Sequence, residues 1–179
     1  MSFAWQITLH IGRIVFLRGS PERLYYTQRL FLGALVSAVV ASVALQALQA
    51  FEVQDPWIFV LLGVFAQLTV FMLMMVILTA RIARFRLARM MLALVLIHLF
   101  LSIALIAFHG LALALPGVQA VVEVITSGLY LLAVYAAGSV AAWGLGQSLM
   151  WGVGVILVYV GLSLGLAGAF QHLLSIVLS

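Results

Sequence analysis

The sequence contains no cysteine and no lysine, and only four acidic residues in 179. Without cysteine there are no disulfides, no thiolate metal ligands and no thiol nucleophile. Without lysine there is no Schiff-base chemistry and no phosphate-loop lysine, and all eight positive charges are arginines. Charged residues make up 7% of the chain, where a water-soluble domain carries roughly 25%. So few charges cannot cover a globule of this size, and lipid is the solvent that such a surface fits. Paired carboxylates at mid-depth, glycine-rich phosphate loops, HExxH and GxSxG are all missing, which excludes the common catalytic signatures.

What is present is apolar: 67% of the residues are hydrophobic. About 20 such residues cross the hydrocarbon of a bilayer as a helix, and runs of that length recur at 30–50, 57–80, 90–109, 119–142 and 149–171. The expected fold is all-α, a polytopic membrane bundle of about five transmembrane helices within residues 20–179. Residues 1–19 are expected to add an N-terminal amphipathic interfacial helix. Over residues 3–18, Gln6, His10 and Arg13 fall on one stripe while Trp5, Ile7, Ile11, Ile14 and Val15 cover other faces, which suits the headgroup zone. The same stretch lacks the charged, apolar, small order of a cleaved signal peptide. Ser20-Pro21-Glu22 and Asp55-Pro56-Trp57 read as helix starts, each a cap followed by a proline at the first helical position. The first helix is expected to run from there through Tyr25, Tyr26 and Arg29. Gly110, Pro116 and Gly117 mark one turn, and Gly144 and Gly146 another.

The net charge of +4 does not point to nucleic acid, because the arginines sit in two short blocks beside apolar spans. Four lie within 13–29 and four within 81–89, with none in the intervening loop at 51–56 or in the 110–118 turn. Five spans put both blocks on one side, which the positive-inside rule makes cytoplasmic. The expected setting is the bacterial inner membrane, with the N-terminus in the cytoplasm and the C-terminus on the periplasmic side. Arg13, Arg81, Arg84, Arg86 and Arg89 then serve as topology anchors and contacts for anionic lipid headgroups.

Three sets of residues are candidates for function. Glu123 is the one acidic residue inside an expected span, and ionisable groups there are costly. His109 and Glu123 each lie seven residues from Pro116, so they reach similar depth on neighbouring antiparallel helices. Such a pair can fix the hairpin by a hydrogen bond, relay protons or hold a metal, with His172 as a possible third member. His98 lies nearer mid-span. A haem there would need matching histidines on a second helix, and a bond to Ser102 or to a neighbouring helix is the simpler expectation. Gln67 and Thr69 fit hydrogen bonds across helices, and Met72, Met74 and Met75 fit core gaps. The third set is small residues: Gly33, Ser37 and Ala41 on the first span, and Gly154, Gly161, Gly165 and Gly168 on the last. Small residues let helix backbones approach closely, either within the bundle or at an interface with a partner.

Leu17-Arg18-Gly19-Ser20-Pro21 followed by Leu24-Tyr25-Tyr26 resembles the lead-in of the Yip1-like small inner-membrane proteins of proteobacteria. The Ala83-Arg84-Phe85-Arg86 stretch is similar to theirs, as is the closing helix pair with Trp143 near its loop and a glycine-rich last span. The pattern departs in lacking a proline after Leu24. The resemblance implies a non-enzymatic membrane role and hands over no catalytic residue. Taken together, the expectation is a non-catalytic scaffold or accessory subunit that contacts membrane lipids and other membrane proteins or itself, with no cofactor and no metal. The alternative is a small transporter or channel component that uses the His109/Glu123 pair.

Overall fold

A computed structural model describes residues 12–13, 21–49, 56–79, 82 and 84–178. Among them there is no β-strand, and five long helices carry the fold: α1 (Gln28–Gln49), α2 (Pro56–Thr79), α3 (Arg84–Ala114), α4 (Gln119–Leu145) and α5 (Leu149–Leu178). All five are long and apolar enough to cross a membrane. The expected interfacial helix and the Ser20 and Asp55 caps lie outside the described residues, apart from Gly12 and Arg13, which are helical. Arg81 lies outside them as well.

Local chemistry explains where the helices start and stop. Pro21–Arg23 forms only a single 3₁₀ turn, and residues 24–27 are not helical. The first long helix therefore begins at Gln28, not near Pro21. Thr27 is its cap: the Thr27 hydroxyl accepts from the Leu30 N–H at 3.1 Å, satisfying one of the free donors of the first turn. Helix α3 begins at Arg84, so Arg84, Arg86 and Arg89 form its opening turns and not a loop. Arginine is a good helix former, and nothing between 84 and 90 interrupts the backbone ladder. The same helix runs through Gly110 to Ala114, because glycine in a helix costs only about 1 kcal/mol and keeps its N–H donor. The break falls at Pro116–Val118, a second 3₁₀ turn. Gly144 is likewise helical, and the turn after α4 rests on Gly146 alone, whose φ of 64° is left-handed. The Gly146 N–H donates to the Trp143 carbonyl at 3.2 Å and the Gln147 N–H to the Ala142 carbonyl at 2.9 Å, the paired C-terminal cap that a left-handed residue permits.

The helices close in the order α1, α3, α4, α5, α2, with α2 returning to α1. Consecutive α2 and α3 barely touch. The core sits toward the end where α2 gives way to α3. There Met90–Ile97 of α3 is buried on every face, packed with Leu24, Leu78, Ile82, Ala136, Val140 and Ile156. The opposite surface property holds outside: Leu61, Val76, Val124, Leu131 and Leu164 are all more than half exposed. An apolar surface this extensive is solvated by lipid tails, not by water.

Candidate functional site

Glycines divide into two groups according to what surrounds them. At four positions a helix of the same chain leaves no room for a side chain. A Cβ on Gly152 would collide with the Gly138 carbonyl oxygen and lie 2.6 Å from the Ala142 nitrogen. One on Gly138 would lie 2.8 Å from the Val153 Cα. These two glycines bring the α4 and α5 backbones together. Gly144 similarly receives Met90, and Gly63 receives the Gln46 amide. The row expected from the sequence on the last span behaves differently. Around Gly154, Gly161, Gly165 and Gly168 nothing among the described residues lies within 4 Å of the position a Cβ would take, and the last three are exposed. The row on the first span splits. Gly33 and Ser37 are exposed, whereas Ala41 joins Ala34, Ala38 and Ser42 on the buried side of α1.

Polar side chains gather at two places, one inside the bundle and one at its end. The first lies on the α1–α3 seam, where the Ser42 hydroxyl and His98 Nε2 are 2.7 Å apart. His98 is thus bonded to a neighbouring helix and not to Ser102. One turn along α1, the Gln46 Oε1 is buried against Gly63 with no hydrogen-bond partner. The second place is the arginine end. The Trp143 indole donates to the Glu22 carboxylate at 3.0 Å, and Arg89 donates to the Glu22 backbone carbonyl. Arg89 also lies 4.0 Å over the Phe85 ring, a favourable placement for a cation. These contacts tie the segment ahead of α1 to α3 and α4. Arg13, Arg84 and Arg86 are exposed.

At the opposite end, His109 and Glu123 stand on adjacent packed helices near the Pro116–Val118 turn. The His109 Nδ1 donates to the Leu105 carbonyl at 2.9 Å, so its own helix takes that proton. Glu123 is exposed, and its backbone carbonyl accepts from the Thr126 and Ser127 hydroxyls. No hydrogen bond or ion pair among the described residues joins the two side chains. His172 is exposed on α5. Among the described residues no three His, Asp or Glu side chains come together as a metal ion would require. Gln67 is half-buried, and Thr69 bonds back to the Phe65 carbonyl of its own helix.

The five apolar helices fit a multi-pass membrane protein. Comparison with known proteins gives no match to a family model, to a curated protein or to a solved structure.

Proposed function

We propose that the protein is a non-catalytic membrane scaffold or accessory subunit that acts through helix–helix contacts on the lipid-facing side of α5. One observation carries this reading: the glycines that close the bundle are Gly63, Gly138, Gly144 and Gly152, while Gly161, Gly165 and Gly168 meet nothing among the described residues. Each glycine inside a helix costs about 1 kcal/mol relative to alanine. Among the described residues, that cost on α5 returns no packing. Against a second helix it allows close backbone approach, which is the main source of association where lipid removes the hydrophobic drive. The likeness to the Yip1-like proteins points the same way, and the cytoplasmic face of the inner membrane is the setting that the arginine blocks favour.

The test replaces Gly161 and Gly165 together by leucine. Both positions are open, so helix content and thermal stability are expected to stay at the wild-type level. Association, read as energy transfer between labelled copies in vesicles and as co-purification with membrane partners, is expected to fall at least about tenfold, as loss of a few kcal/mol of close packing requires. Association unchanged in both assays rejects the reading.

A further inference from the structure

Helices α2 and α5 do not meet along their whole length. They touch through Phe65 and Phe170, whose rings are 5.8 Å apart. Toward the arginine end they splay and leave an open groove of about 550 Å³. Val70, Met74 and Ile77 form one wall, and Trp151, Gly154 and Val158 form the other. Among the described residues no charged side chain lines it. Gly154 belongs to this wall, which accounts for the empty space beside it.

Three features say what occupies the groove. Its length is the first. From Met150 to Leu162 the α5 wall rises through twelve residue steps, or about 18 Å along a helix, close to the roughly 15 Å that half of a bilayer's hydrocarbon spans. One acyl chain of one leaflet fits that length. The second is position. The groove's end at Ile77 and Leu78 lies at the close of α2, and only four residues separate Thr79 from Arg84. Leu78, Ile82 and Leu87 share one apolar cluster, which holds the end of α2 beside the start of α3. The third is charge. Arg84 and Arg86 are exposed in the first turn of α3, and among the described residues neither has an ion-pair partner. Arg89, by contrast, is committed to Glu22 and Phe85. Trp151 stands exposed at the same end, the place of an interfacial anchor.

We infer that the α2–α5 groove is a binding site for an anionic phospholipid, with one acyl chain between Met74 and Val158 and the phosphate at Arg84 and Arg86. The association surface proposed above begins at Gly161, beside Leu162 at the end of the groove wall, and continues beyond it to Gly165 and Gly168. An anionic headgroup gains about fivefold in affinity for each arginine near the membrane surface, and a zwitterionic lipid forgoes most of that gain.

The probe is dibrominated lipid, which quenches a tryptophan that it touches. The full chain is placed in vesicles of equal phosphatidylglycerol and phosphatidylcholine, with bromine on one lipid or on the other. The Trp151 signal is taken as the difference between wild type and Trp151→Phe. Brominated phosphatidylglycerol is expected to quench Trp151 at severalfold lower mole fraction than brominated phosphatidylcholine. Arg84→Gln with Arg86→Gln, both at exposed positions, is expected to erase that preference. Gly154→Leu is expected to weaken quenching by both lipids. Equal quenching by the two lipids in wild type means annular lipid only and overturns the site without recourse to any variant. A preference that survives loss of both arginines, or quenching indifferent to Gly154→Leu, overturns it too.

Discussion

The bond between Ser42 and His98 joins two helices at a depth where no water is at hand to replace either partner. Cross-helix hydrogen bonds of this kind average about 0.6 kcal/mol and reach about 1.7. Ser42→Ala leaves the imidazole facing a methyl group, and unfolding in mixed detergent micelles is expected to become easier by about 1 kcal/mol. Ser163→Ala is the control. The Ser163 hydroxyl donates to the Tyr159 carbonyl of its own helix, and that carbonyl keeps its helical partner when the hydroxyl is gone. Equal stability of wild type and Ser42→Ala would remove His98 from the account of bundle stability. The sequence identified His98 as a mid-span polar group that needs a partner. It did not identify Ser42, because position along a helix says nothing about which helix lies alongside.

Two glycines with equally crowded surroundings respond differently to alanine, because what crowds them differs. At Gly152 the obstacles are the Gly138 carbonyl and the Ala142 nitrogen, backbone atoms of α4 that move only if the hairpin opens. At Gly63 the obstacle is the end of the Gln46 side chain, which can swing aside. Gly152→Ala is therefore expected to destabilise by about 2 kcal/mol, in the range of overpacked cores. Gly63→Ala is expected to stay within about 1 kcal/mol, since alanine's better helix propensity offsets the displaced amide. Thermal unfolding of the two variants side by side checks this, and comparable losses would contradict it. The same hairpin shows what the sequence conveys about elements. Span number and rough position were legible, because a bilayer imposes length directly. The ends were less so. Gly110 and Gly144 looked like breaks, yet each keeps its N–H and continues the helix, while Pro116 and the left-handed Gly146 end theirs. The small-residue rows were visible as spacing only. In a helix apolar on every side no hydrophobic contrast distinguishes the face turned inward, so spacing alone does not separate buried Ala41 from outward Gly33 and Ser37.

For the whole molecule, the order in which the helices close was not readable from the chain. Neighbours in sequence need not be neighbours in space when lipid solvates every outer face equally. Orientation is another matter, because arginine placement acts during insertion, before the bundle forms. Three arginines precede α1 and Arg29 opens it, while Arg81 lies between α2 and α3 and Arg84, Arg86 and Arg89 open α3; with five spans the Gly146–Ser148 turn is expected on the same side as both blocks, and the Pro116–Val118 turn on the other. The absence of cysteine makes this directly measurable, since any thiol introduced is the only one present. Gln147 and Gly117 are exposed in their respective turns, and neither has a positive φ. In intact cells a membrane-impermeant maleimide is expected to label Gly117→Cys and to leave Gln147→Cys unmodified until the membrane is opened. The reverse pattern would place both arginine blocks outside, moving the lipid site to the outer leaflet with them. Labelling of both positions in intact cells would mean that an odd number of helices does not separate them from each other, and the five-span topology itself would have to be abandoned.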